Sequence, residues 1–338
     1  MSYRRIALEE AFVTQDIADE WAKVLSHRNV EPGFRKMGES ILANTPGNQQ
    51  LHHRLLDLGA GRIAHMDETG IDVQVLSLTS PGVQVFDAVT ATLLAAESND
   101  VLADAVRRHP TRFVGLAAVA PQYPAGAALE VERAVKTLGL SGLIINSHTM
   151  GEYLDDPKYW EILEAAEAAD VPIYLHPREP APSQVTPYLD YGLYFAGWGF
   201  AIECGLHAMR LIMSGVFDRF PRLRIILGHM GEGIPYWLKR IDNRYELQVK
   251  IGAVPRMARK PSEYFRDHFV VTTSGMTDPD ILELCLSQLG VERVLFAADY
   301  PYESIAEHVE FLDNAPITPA ERQAIYEDNA CRVLKIAR

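Results

Sequence analysis

The stretch Arg224-Ile225-Ile226-Leu227-Gly228-His229-Met230-Gly231-Glu232-Gly233 decides the reading of this chain. An apolar run suited to a strand buried on both faces ends in a glycine, a histidine and a carboxylate, and a helical pattern begins directly after it. That is a β-to-α junction carrying ionisable groups. The same grammar recurs at Val171-Pro172-Ile173-Tyr174-Leu175-His176-Pro177 and at Arg293-Val294-Leu295-Phe296-Ala297-Ala298-Asp299-Tyr300-Pro301. Strands that end in this way need a common place to point.

Working outward, a first strand is expected at about 4–10, ending in Glu9-Glu10. Alternation along a strand lets only one of those carboxylates face inward. Further strands are expected at 73–78, 113–119, 142–146 and 269–275, with helical periodicity between them, as from Ala88 to Arg108. Short apolar strands alternating with helices predict a (β/α)₈ barrel, a single domain spanning 1–338. An open, doubly wound sheet is the alternative, but no G-x-G-x-x-G follows the first strand. Two segments interrupt the alternation and are read as loop insertions: about 29–50, with little periodicity, and about 178–198, rich in Pro, Tyr and Gly and suited to an aromatic-lined lid. In a barrel all strands open at their C-terminal ends onto one mouth, so Glu9, His176, His229 and Asp299 are expected to converge.

Composition narrows the partners. The 338 residues are 48% hydrophobic and 23% charged, with a formal net charge of −13. No basic patch is present for nucleic acid or an anionic membrane, and no apolar run reaches the ~20 residues of a membrane span. The start, Met1-Ser2-Tyr3-Arg4-Arg5, leads into a strand rather than a signal peptide, so a cytoplasmic protein is expected. Cys204, Cys285 and Cys331 are odd in number and widely spaced, and read as small core residues.

Each mouth residue has an ordinary explanation as well. Glu9 suits a surface strand end, His176 a core histidine bonded to a carbonyl, and Asp299 a helix cap, although Pro301 makes that early. His229 and Glu232, one helical turn apart, can simply bond each other. Four ionisable groups on strands of one barrel are costly to bury unpaired, however, and a divalent cation offsets that cost. Glu9, His176 and Asp299 offer two carboxylates and one imidazole, a mostly hard set that suits Mn²⁺ or Mg²⁺ before Zn²⁺, about one ion per chain, with positions open to substrate. The remaining histidines, His27, His52, His53, His65, His109, His268 and His308, read as surface; His148 and His207 are left open.

These residues carry a family resemblance. Ala7-Leu8-Glu9-Glu10-Ala11-Phe12, Leu78-Thr79-Ser80-Pro81-Gly82-Val83-Gln84, Leu175-His176-Pro177-Arg178, Gly228-His229-Met230-Gly231-Glu232, Thr272-Thr273-Ser274-Gly275 and Asp299-Tyr300-Pro301-Tyr302 together resemble the amidohydrolase superfamily. The branch they resemble is that of metal-dependent, non-oxidative aromatic acid decarboxylases. The resemblance implies Glu9, His176 and Asp299 as metal ligands, with His229 beside metal and substrate and steadied by Glu232. It also implies a homodimer or homotetramer. One departure matters: hydrolytic members carry His-x-His at the end of the first strand, and here the second position is Ala11.

The expected reaction is reversible decarboxylation of an ortho-hydroxybenzoate, a small aromatic carboxylic acid, with Asp299 as the ring-protonating acid and His229 assisting. Phe12, Trp198, Phe200 and Tyr302 are candidate walls for a flat ring, and Arg240 is either a contact for a substrate anion or a neighbouring subunit or an ordinary helix-face arginine. A metal-dependent hydrolase of an ester, amide or lactone is the main alternative, and a non-catalytic barrel binding aromatic acids a further one.

Overall fold

The computed structural model describes residues 3–41 and 43–337. Eight parallel strands run in sequence order: β1 Ile6–Phe12, β2 Val73–Leu78, β3 Phe113–Ala118, β4 Gly142–Asn146, β5 Ile173–His176, β6 Ile225–Leu227, β7 Phe269–Thr272 and β8 Val294–Leu295. The first and last strands meet where Leu8 N donates to Phe296 O at 3.0 Å and Ala11 N to Tyr300 O at 2.7 Å. The fold is a (β/α)₈ barrel, with helices between successive strands. Strand residues are apolar on both faces because helices cover the outside while side chains fill the inside. Ile6, Leu8, Val75, Ile173, Leu175, Ile226 and Val271 are all fully buried.

Helix ends follow local chemistry. Thr14 accepts from Ile17 N to cap the helix Gln15–Ser26, and Asp87 accepts from Val89 N and Thr90 N ahead of Ala88–Arg108.

Several expectations need correction. The segment 29–50 is not a loop. It forms the helices Pro32–Ile41 and Pro46–Leu56, the first burying Gly33, Phe34, Met37 and Gly38 on one face. Glycines at two of those positions blur the apolar periodicity on which a sequence reading depends. The helix Pro46–Leu56 is followed, after a break at 57–59, by the helix Ala60–Thr69, and the helix Gly199–Met213 precedes β6. The segment 178–198 has only short 3₁₀ turns, Thr186–Tyr188 and Asp190–Gly192. His268 and His308 are buried rather than exposed: His268 stacks on Phe217 and pairs with Leu223 O at 2.9 Å, and His308 pairs with Ser304 O at 2.9 Å. All three cysteines are buried, and none forms a disulfide among the described residues. Among the described residues no helix is long and apolar enough to cross a membrane.

Candidate active site

The C-terminal ends of the strands deliver the ionisable groups to one mouth. Between Ala7 and Glu10 the pairing of β1 with β2 slips register, and Glu9 lies at φ +66° in the left-handed region. A slip of this kind bends the strand locally. Glu9 points to the mouth and Glu10 away from it, as alternation requires, and both are buried because helices cover the outside of the barrel. Glu9 Oε2 accepts from the Tyr174 hydroxyl, in a very short contact, and from Thr272 Oγ1 at 3.2 Å. Glu10 turns to the barrel wall, accepting from Gln74 Nε2 and Ala298 N, each at 3.2 Å, and burial lifts its pKa to about 8.

The other groups gather around Glu9. Its Oε1 lies 3.3 Å from His176 Nε2 and 3.5 Å from His229 Nε2. His229 Nδ1 lies 2.8 Å from Glu232 Oε1. One ligand atom each from Glu9, His176 and Asp299 falls within a 4.8 Å span. Like Glu9, His229, Glu232 and Asp299 have positive φ, at 49°, 52° and 64°. Non-glycine residues held in that region cost about 1–3 kcal/mol each and concentrate at functional sites. Two glycines make the crowding possible. A Cβ on Gly228 would lie 3.2 Å from Glu9 Oε1, and one on Gly275 would lie 3.2 Å from His229 Cδ2.

Electrostatics sort these groups. Burial opposes charge on Glu9, but His229 and His176 outweigh it and hold its pKa below the usual value. Burial also opposes the His229 imidazolium, yet Glu232 and Glu9 raise its pKa to about 10. Burial and the Glu9 charge push Asp299 well above the ordinary carboxylate range. Glu9 Oε1 has no hydrogen-bond partner among the described residues. A buried carboxylate oxygen of that kind, facing an imidazole and a second carboxylic group, suits a hard divalent cation.

Above these groups is a cavity of about 170 Å³, walled by Thr79, Pro177, Phe195, Phe200, Tyr302 and neighbouring residues. Of the four wall candidates, Phe200 and Tyr302 line it. Phe12 belongs to the buried core, and Trp198, about half exposed, is not among the lining residues; Phe195, packed on Phe200 with ring centroids 5.0 Å apart, lines it instead. Arg240 is exposed on the outer face of the helix Ile234–Lys250 and lies outside this cavity. His148 does not line the cavity, bonding Glu179 O and Gly151 N, and His207 packs in its helix against Ser147 and Leu154. Tyr174 was missed from sequence although a signal existed: it stands two residues before His176 and so shares its face of β5. Met37, Ser80 and Phe195 had no such signal, because chain folding alone brings them there.

The description "Amidohydrolase" is that of the family model matching residues 48–336. The chain belongs to the amidohydrolase family. Within the family it is 40% identical to the γ-resorcylate decarboxylase of Rhodococcus jostii (strain RHA1), over 99% of both chains. The crystal structure of 5-carboxyvanillate decarboxylase from Sphingomonas paucimobilis is 42% identical, with a TM-score of 0.96 over 99% of this chain and 100% of that one. A dihydroxybenzoic acid decarboxylase from Polaromonas sp. JS666, solved with bound manganese and the inhibitor 2-nitroresorcinol, is 37% identical, with a TM-score of 0.88 over 100% of this chain and 98% of that one.

Proposed function

We infer that the protein is a divalent-metal-dependent carboxy-lyase that converts an ortho-hydroxybenzoate to the phenol and CO₂, reversibly. The observation that carries this reading is the clustering of Glu9, His176 and Asp299 at the floor of an aromatic-walled cavity. The relatives named for γ-resorcylate and for 5-carboxyvanillate share a substrate feature, a carboxylate beside a ring hydroxyl, and this site would hold that pair of oxygens. Ala11 stands where hydrolytic members carry a second histidine, which disfavours the hydrolase alternative.

Glu9, His176 and Asp299 would hold Mn²⁺ or Mg²⁺, with Zn²⁺ less suited to two carboxylates and one imidazole. When bound, the cation supplies positive charge that anchors the carboxylate and its ortho oxygen. The chain's own groups do the rest. Phe195, Phe200 and Tyr302 confine the ring and exclude water. Direct loss of CO₂ would leave an aryl carbanion, so the carbon bearing the carboxylate is protonated first. Asp299 donates that proton. The ring-to-carboxylate bond then breaks, its electron pair restores aromaticity, and CO₂ departs. His229, held by Glu232, hydrogen-bonds the reacting acid and relays a proton back to Asp299.

The exposed Trp198, Ile202, Tyr236, Trp237 and Leu247 mark a face suited to pairing copies of the chain as a homodimer or homotetramer. Arg240 lies on the helix that carries three of those residues, so contact with substrate would require a second copy. We place the enzyme in the cytoplasm.

The test is direct. Metal-loaded protein is incubated with salicylate, 2,3- and 2,6-dihydroxybenzoate and 5-carboxyvanillate, following each acid and its phenol. At least one acid is consumed, and in D₂O one deuterium appears at the carbon that lost CO₂. Cleavage of a lactone or ester panel with no acid consumed would move the assignment to the hydrolase.

A further inference from the structure

A second cavity adjoins the first through a common wall. Met37, Ile41, Ser80 and Tyr302 line both. Beyond them the second space is enclosed by Val13, Trp21, Leu25, Phe34, Leu51 and Leu55. Most of its polar atoms are already engaged. Trp21 Nε1 donates to Gly82 O at 2.9 Å, the Tyr302 hydroxyl pairs with Thr79 Oγ1 at 2.6 Å, and the Asn48 amide donates to Ser40 O and Ala43 O. Among the apolar side chains that make up most of the lining, a hydroxyl or charge would lose its water without replacement, whereas an alkyl group would lose nothing. Two groups are not so engaged: Ser80 Oγ, on the common wall, which is buried without a hydrogen-bond partner among the described residues, and the half-buried His52 imidazole, which also lines the space. A ring oxygen at the common wall would satisfy Ser80 Oγ.

Size limits the occupant. The space is about 40 Å³, and at roughly 10–15 Å³ per water-sized occupant it admits about three or four heavy atoms. A bare ring substituent of one to three carbons fits; a second ring does not. A substrate held through its carboxylate and ortho oxygen has C4 and C5 as the ring positions farthest from that pair, and these are the carbons that can carry a group across the wall.

We propose that the preferred substrate is an ortho-hydroxybenzoate bearing a short alkyl group on its far ring edge, with this second cavity as its specificity subsite. The proposal rests on the decarboxylase reading above. It assigns selectivity to the helices Pro32–Ile41 and Pro46–Leu56, which furnish Phe34, Met37, Ile41, Leu51 and Leu55.

The experiment measures kcat/KM on manganese-loaded enzyme for salicylate and its 4- and 5-methyl, -ethyl and -propyl derivatives, with 2,6-dihydroxybenzoate as an unsubstituted reference. Each carbon buried in the subsite raises kcat/KM roughly fourfold, until the space is filled. Leu51→Phe, which fills the cavity, returns the alkyl-to-unsubstituted ratio toward one. Leu51→Ala enlarges it and moves the optimum to a longer chain, so the test survives if the phenylalanine variant fails to fold. Calorimetric binding of alkylated against plain 2-nitrophenol, which cannot lose CO₂, gives the same order without turnover. Turnover of the unsubstituted acids with no alkyl gain, or a ratio unmoved by both variants, overturns the subsite alone. Failure of every acid overturns the decarboxylase reading and the subsite with it.

Discussion

Asp299 has two roles in the proposed reaction, and one substitution separates them. If it only holds the cation, Asp299→Asn loses activity in step with lost metal, and excess Mn²⁺ restores it. As the acid it also supplies the proton, which an amide cannot. We expect the metal-refilled variant to remain at least ~100-fold slower than wild type while still binding an ortho-hydroxybenzoate, measured by elemental analysis alongside turnover. Near-wild-type recovery would transfer the proton to His229. Glu232 acts one step back, through the 2.8 Å contact with His229 Nδ1. Glu232→Gln should lower kcat by about 10–100-fold with metal content unchanged; equal loss of metal and rate would make Glu232 a support for the metal site instead.

At the scale of elements, the mouth is held by the segment after β5 and its anchors. Arg178, fully buried, is paired with Glu179 and with Glu31, just ahead of the helix Pro32–Ile41. Glu203, on the helix Gly199–Met213, accepts from Ala181 N and Ser147 Oγ at 3.1 Å and from the Tyr153 hydroxyl at 3.2 Å. Burial pushes its pKa up to about 7, and these hydrogen bonds and Arg178 offset that only in part. The folded state therefore holds a proton that the unfolded chain, titrating near 4.5, has released. The stability from this group is complete below that value and is lost as pH rises through about 7, on the order of 3 kcal/mol. Denaturant unfolding from pH 4.5 to 8 should show the decline in wild type and a flatter profile in Glu203→Gln. Parallel profiles would mean that Glu203 is charged in the fold.

For the whole molecule, metal and assembly are the measurable quantities. Removing the cation with a chelator should abolish decarboxylation, and Mn²⁺ or Mg²⁺ should restore it more fully than Zn²⁺. At a hundredfold excess over its dissociation constant the cation adds about 2.7 kcal/mol to stability, visible as a raised melting temperature. Activity indifferent to chelation would remove the metal from the mechanism. Light scattering at micromolar concentration should report a dimer or tetramer. Trp237→Glu, at an exposed position of the helix Ile234–Lys250, should shift it toward monomer; a wild-type monomer would leave that apolar face without its proposed partner.

The alternation of strands and helices was legible in the sequence because it is written in local periodicity. β2 and β4 fall at the expected residues, and barrel topology alone brings Glu9, His176, His229 and Asp299 to one mouth. The metal-dependent decarboxylase expectation was legible for the same reason, since its residues stand at strand ends within recognisable runs. What depends on contacts between distant segments was not legible. The register slip in β1 beside Glu9 is a property of its pairing with β2, and no window of sequence contains both. Burial of His268 and His308, the Tyr174 bond to Glu9, and the placing of Phe195 rather than Trp198 on the cavity wall likewise await neighbours from elsewhere in the chain. Periodicity determined the barrel and where its chemistry would gather; only tertiary packing decided which side chains meet there, because burial and strand register are set by partners far away in the sequence.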